Sequence, residues 1–335
     1  MESPLESGVI ERDEPAGQGP GERRVPITLL AGFLGSGKTT LLNRLLAGRH
    51  GVRVAVLVND FGSIDVDGRL VESDDATVLT LDNGCICCSI SGDLVAQLTA
   101  LLEGPARPEH VLIEASGVTD PGRLLVALRD AHLRSLARVD AVVTLIDAAN
   151  VDSIPPTAAE LVRRQLAAAD VIVFNKADLV APDRLADLRD RLTYPRARTI
   201  DATYGAVRLD ILLGIDRDAL AGEQRRHGTR VARQHDNRFS TWTWTSSEPL
   251  AYAAVRQVLA TLPPGIYRAK GFLRLADSPD EQVVAHVVGR RVDIRPLGPW
   301  GDRERRTELV FIGLGVECDP EDVARRLAAT IAVPA

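Results

Sequence analysis

The sequence predicts an α/β fold: a mostly parallel sheet flanked by helices, followed by a smaller α+β domain. Three observations point there. Short apolar runs alternate with stretches of helical periodicity through the first two thirds of the chain. Glycine- and asparagine-bearing motifs close several of these runs, where a parallel sheet presents its ligands. Beyond about residue 237 the alternation gives way to several strand-like segments and a closing helix.

Taken in order, residues 1–24 are rich in Glu, Gly, Pro and Ser, and are expected to form a solvated tail. Residues 25–30 read as a buried strand leading into a glycine loop. Residues 39–47 then carry Leu41, Leu42, Leu45 and Leu46 at helical spacing. A second strand over 52–58 ends at Asn59-Asp60-Phe61-Gly62. Further strands are predicted at 77–81, 110–113, 141–146 and 171–174, with helices at 94–102, 122–131, 158–168 and 182–192. These make one domain over 25–220. A Gly-, Gln-, Arg- and His-rich texture over 221–237 marks a linker. The second domain, 238–335, starts with an alternating strand at 239–245 whose Trp242 and Trp244 share a face and are expected to pack. A helix at 252–262, strands between Gly265 and Gly315, and a helix at 320–331 complete it.

Length and charge narrow the function. The 335 residues suffice for two domains, and a net charge of -6 argues against a general nucleic-acid binder. No apolar run approaches the roughly 18–20 residues that span a bilayer, and the N-terminus lacks a basic-then-apolar signal pattern. Neither nucleic acid nor membrane is expected as a partner. Of the 40 Lys and Arg, only Lys38, Lys176 and Lys270 are lysines, and two of them stand inside motifs.

Gly32-Phe33-Leu34-Gly35-Ser36-Gly37-Lys38-Thr39 fits the P-loop pattern in full, between a strand and a helix. Gly32, Gly35 and Gly37 let the backbone curl so that N–H groups converge on phosphate oxygens, and the positive helix end adds to the attraction. Lys38 offers a point charge to the terminal phosphates, and the Thr39 hydroxyl suits Mg²⁺. Ser36 and Thr40 complete the phosphate-facing set. Asn175-Lys176-Ala177-Asp178 closes a later strand. The Asp178 carboxylate matches the paired donors of guanine, which adenine lacks. The Lys176 stem suits the base plane, and Asn175 is placed to brace the loop. GTP is therefore favoured over ATP. Glu114, at the end of the strand over 110–113, is placed to reach Mg²⁺ through water, and Gly117 to offer its N–H to the γ-phosphate.

Three cysteines within four residues, Cys85-Ile86-Cys87-Cys88, make a soft-metal site. In an extended loop Cys85 and Cys87 point to one side, with Cys88 folding in if the chain turns. Three thiolates leave one tetrahedral zinc position for water, for a carboxylate such as Asp60 or Glu72, or for a group from a partner. Cys318 stands alone and reads as structural. Only four cysteines, three of them clustered, make a poor disulfide framework and fit a reducing cytoplasm. His50, His110, His132 and His286 show no ligand spacing.

Together the segments 32–42, 59–62, 84–88, 114–121 and 175–178 resemble the CobW-like P-loop GTPases, and Leu262-Pro263 with Arg268-Ala269-Lys270-Gly271 resembles that family's C-terminal domain. The resemblance runs from Val25 to about Ile331. It implies slow GTP hydrolysis, binding of zinc or a neighbouring transition metal such as cobalt at the cysteine loop, and delivery of that metal to a client metalloprotein. Two departures stand out. Asn59-Asp60-Phe61-Gly62-Ser63 replaces the family's Asn-Glu-Phe-Gly-Glu, and only His227 and His235 stand where many members carry a histidine-rich stretch.

No glutamine occupies an evident water-positioning place, so Asp60 and Glu114 join Lys38 as candidate catalytic groups. A client, or a second copy supplying an arginine in a homodimer, is a candidate trigger. GTP is expected to order 59–67 and so reshape the cysteine loop. The alternative is a zinc-sensing GTP-binding interaction protein with negligible turnover; a P-loop kinase is disfavoured by the guanine tetrad.

Overall fold

A computed structural model describes residues 24–47, 52–58, 76–80, 86–214, 239–301, 304–314 and 319–332, with side chains in 76–92, 239–240 and 314 not described. Seven strands form one sheet in the order β3-β2-β4-β1-β5-β6-β7, and every pairing is parallel. They are β1 (Val25–Gly32), β2 (Val54–Val58), β3 (Ala76–Thr80), β4 (His110–Glu114), β5 (Ala137–Asp147), β6 (Val171–Asn175) and β7 (Arg198–Asp201). β2, β4 and β6 are buried at every position, as strands covered on both faces must be. The strand order reverses at β1, which puts the ligand crevice at its carboxyl end.

Helices cover both faces: α1 (Lys38–Leu46), α2 (Ile86–Glu103), α3 (Pro121–Ala127), α4 (Leu133–Leu136), α5 (Pro156–Ala168), α6 (Pro182–Leu192) and α7 (Leu209–Leu213). Three apolar clusters fill the layers: α1 and α7 pack on one part of the sheet, α2 and α3 on another, and α5 and α6 on the β6 side. Two differences from expectation have local causes. The helix expected over 122–131 ends at Ala127 as α3, and a separate short helix, α4, follows where the Asp130 side chain accepts the backbone N–H groups of His132 and Leu133. α2 starts at Ile86, eight residues before the predicted 94, so Cys87 and Cys88 lie in its first turn rather than in an extended loop.

The second sheet is antiparallel, in the order β11-β10-β9-β12-β8. Its strands are β8 (Phe239–Ser246), β9 (Ile266–Leu273), β10 (Glu281–Val288), β11 (Arg291–Pro299) and β12 (Thr307–Leu314), with α8 (Tyr252–Ala260) and α9 (Pro320–Ala328). One face and the two helices form a core in which Trp242 stacks on Phe311 with ring centroids 5.3 Å apart and Trp244 packs at the margin. From the other face Tyr267, Val288 and Ile312 enter the core of the parallel sheet beside α1 and α7.

Polar contacts at the sheet junction gather near the amino ends of the parallel strands. Arg268 pairs with Asp140 near the start of β5. Arg291 reaches Asp170 just before β6 at 3.1 Å. Tyr267 donates to Thr199 O in β7 at 2.7 Å. Lys270, to which the sequence assigned no role, donates to Gly214 O at 2.9 Å. The carboxyl ends of the parallel strands, where the motifs gather, face away from this junction. No described helix is long and apolar enough to cross a membrane.

Candidate functional site

β1 ends at Gly32 and α1 starts at Lys38, so the turn between them is all loop. Gly32, Gly35 and Gly37 have φ of 138°, 74° and 98°, conformations that only glycine adopts without strain. At two of the three glycines a side chain has no room. A Cβ at Gly32 would lie 2.4 Å from Leu145 O, and one at Gly37 would lie 2.2 Å from Asn175 Nδ2. No side chain caps α1, so its first N–H groups point into the loop's mouth, a natural anion seat. The Ser36 hydroxyl is buried there with no hydrogen-bond partner among the described residues. Lys38 folds back over the loop and donates to Gly32 O at 2.9 Å and Phe33 O at 3.4 Å.

Thr39 and Glu114 meet across the end of the loop, the Thr39 hydroxyl donating to Glu114 Oε1 at 3.3 Å. They come from α1 and β4, and β4 lies beside β1 in the sheet. A hydroxyl and a carboxylate this close offer the oxygen ligands a hard divalent cation takes, so the donor set fits Mg²⁺. Gly117, three residues past β4, abuts the P-loop: a Cβ there would come within 2.8 Å of Leu34 N.

Asn175 joins three segments. Its Nδ2 donates to Ser36 O in the P-loop, and its Oδ1 accepts from Gly205 N in the loop after β7, both at 2.9 Å. Further bonds, from Ala177 N to Ala202 O and from Ala202 N to Phe174 O, staple that loop to the tetrad. Asp178 lies exposed in a 3-10 turn, Ala177–Leu179. The Lys176 ammonium donates to Asp147 at 2.6 Å, which anchors the tip of the side chain. Burial pushes the Asp147 carboxyl up, but hydrogen bonds from Lys176 and Asn150 hold it below its ordinary value.

The loop 202–206 was not anticipated from the sequence. It follows β7, a four-residue strand at the sheet edge, and its local signal was Tyr204-Gly205. Tyr204 takes a left-handed φ of 50° and is 72% exposed beside the tetrad. The described histidines carry no metal cluster. His110 is buried and bonded to Thr28 Oγ1 at 2.9 Å, and burial pushes its pKa down to about 3. His286, partly buried on β10, is also pushed down to about 3 by burial. His132 pairs with Glu103 at the surface.

Several predicted groups lie outside the described residues: Asp60 and the segment 59–67, Glu72, Cys85, Cys318, His50, His227, His235 and the linker 221–237. Cys87 and Cys88 are described for their backbone alone. Among the described residues no group of three His, Cys, Asp or Glu side chains is gathered around a point.

Known proteins resemble this chain over most of its length. Residues 26–199 match the family model described as CobW/HypB/UreG, nucleotide-binding domain, and residues 239–331 match the cobalamin synthesis protein CobW C-terminal domain. The chain is 33% identical to a zinc chaperone CobW of a Sinorhizobium species, covering 92% of this chain and 98% of that one. It is 30% identical to a zinc chaperone CobW of Pseudomonas aeruginosa, covering 92% of each. It is 36% identical to the zinc-regulated GTPase metalloprotein activator 1 of Schizosaccharomyces pombe, over 59% of this chain and 50% of that protein.

Proposed function

The chain belongs to the CobW/HypB/UreG family, and from that premise we propose that it hydrolyses GTP and works as a metallochaperone. It takes up zinc, or a similar ion such as cobalt, through Cys85, Cys87 and Cys88, and passes it to a client metalloprotein. The observation that carries the nucleotide half is Asn175, whose one amide ties the phosphate loop to the base-reading tetrad and to the loop 202–206. The metal half is supported by the thiol cluster and by relatives named as zinc chaperones and as a zinc-regulated GTPase.

In this reading the loop N–H groups of residues 32–40 hold the phosphate chain, with Gly32, Gly35, Ser36, Gly37 and Thr40 forming the cradle. The Lys38 ammonium turns from the Gly32 carbonyl to the terminal phosphates. Asp178 accepts two hydrogen bonds from guanine, and Gly117 offers its N–H to the γ-phosphate. Thr39 and Glu114 hold the Mg²⁺ site; when bound, the ion neutralises charge developing on the β- and γ-phosphate oxygens. Water oxygen attacks the γ-phosphorus, the bond to the bridging oxygen breaks, and GDP and phosphate leave. Glu114 and Asp60 are the candidates for orienting that water. Among the described residues no glutamine stands at an evident water-positioning place, and slow intrinsic turnover is what this reading expects.

Phosphate release by the purified protein tests the nucleotide half. GTP should be turned over in preference to ATP, and both Lys38→Ala and Asp178→Asn should suppress it. Equal turnover of ATP, or a Lys38→Ala variant as active as the parent, would refute the reading.

A further inference from the structure

Gln165 lies on α5 with its side chain 1% exposed, far in sequence from every motif. Its amide nitrogen donates both protons to the loop after β4, to Gly117 O at 3.2 Å and to Thr119 O at 3.1 Å. That loop, 115–120, joins Glu114 to α3. Its own bonds, Thr119 N to Ser116 O at 2.9 Å and Val118 N to Ser116 Oγ at 3.3 Å, curl it into a compact turn. On its other side Gly117 abuts Leu34 of the P-loop. Gly117 is therefore held between the P-loop and Gln165.

The anchor is itself fixed. The Thr144 hydroxyl donates to the main-chain carbonyl of Gln165 at 2.9 Å and ties this turn of α5 to β5. The neighbours Val162 and Leu166 are buried in the core beneath. Gln165 Oε1 is buried with no hydrogen-bond partner among the described residues, at the wall of a cavity of about 190 Å³ beside Phe33 and Leu34. A leucine would fill the same space. What glutamine adds is a two-point grip on a loop.

We infer that Gln165 is a positioning residue for GTP hydrolysis: it fixes the 117–119 backbone so that the Gly117 N–H is aimed at the γ-phosphate before the nucleotide arrives. The inference rests on the proposed GTPase reading and deepens it. Pre-set donors cost no reorganisation during reaction, and small misplacements of such groups lower rates steeply. Since GDP has no γ-phosphate, the grip should matter for GTP and not for GDP.

Three variants separate this from a packing role. Gln165→Leu keeps the bulk and removes both bonds. Gln165→Glu sets an acceptor against two carbonyls. Gln165→Asn keeps the amide but is one methylene too short to reach both, and serves if the others do not fold. Each should lower kcat for GTP about tenfold or more, with affinity for GDP within about threefold of the parent and a weakened preference for a non-hydrolysable GTP analogue over GDP. Parent-like kcat, or equal losses of affinity for the analogue and for GDP, would overturn the inference. A parent that turns over no GTP would sink the proposed hydrolysis instead, while the analogue-to-GDP ratio, read from binding alone, would still decide on Gln165.

Discussion

Arg268 of β9 and Asp140 of β5 form a buried ion pair across the junction of the two sheets, their side chains 5% and 4% exposed. Arg268 also donates to the carbonyls of Ile211 and Leu212 at the end of α7, the second at 2.8 Å. Burial pushes the Asp140 carboxyl up, but Arg268 and Arg138 outweigh it and hold the group well below the usual carboxylate range. Removing one member of such a pair leaves an uncompensated buried charge.

Arg268→Met should therefore destabilise the protein by about 3–5 kcal/mol, read from urea unfolding. Arg138, 2.6 Å from Asp140, softens the loss without replacing the bonds to α7. Changing Asp140 and Arg268 together to apolar residues should cost less than the single change. A single-variant loss below about 1 kcal/mol would show that the junction does not depend on the pair.

Stability should also fall in mild acid. The unfolded chain takes up protons at His110 and His286 below about pH 6.5, while the folded protein refuses them until about pH 3. Their contribution is complete above pH 6.5 and declines from there toward pH 3, by up to about 1.4 kcal/mol per pH unit for each histidine. Asp140 has the same sign lower down, being lost only as pH falls below the unfolded carboxyl value. Asp170 works against the trend: burial raises its carboxyl despite Arg291, and its contribution falls as pH rises through that raised value. The urea midpoint should be lower at pH 5 than at pH 7, and His286→Gln should reduce the difference. A midpoint unchanged over this range would contradict the assignment.

Gly37→Ala should abolish nucleotide binding while leaving the second domain folded. The added methyl would strike Asn175 Nδ2 at 2.2 Å, and the φ of 98° disfavours any side chain. Asn175→Ala should weaken binding less, since it removes two hydrogen bonds worth about 1 kcal/mol each but no loop backbone. Titration with a fluorescent GDP checks both; a Gly37→Ala protein that binds normally would show that the cradle is not used.

The parallel sheet and the phosphate loop were legible because their signals are local. The strand into Gly32, the glycines and the helix after Gly37 follow one another directly, and Pro182 opens α6 where expected. Elements defined by distant partners were not. β7 is four residues long, and Arg198, its first residue, is held by Leu262 O at 2.7 Å from far along the chain. The lead into α2 is interrupted by Ser89, Ser91 and Gly92, which mask helical periodicity. Gln165 carries no local signal, because both carbonyls it grips lie more than forty positions away in the chain. Lys270 was silent for the same reason.

Zinc affinity, measured by chelator competition with GDP bound and again with a non-hydrolysable GTP analogue, probes most directly whether the nucleotide and thiol sites act on each other. We expect the parent to differ between the two states by about 5–150-fold, with the analogue's affinity shifted by the same factor when zinc is present. The variant carrying Cys85→Ser, Cys87→Ser and Cys88→Ser should lose both the affinity and the difference. A serine variant that captured zinc as tightly as the parent, or a parent indifferent to which nucleotide it holds, would contradict the account.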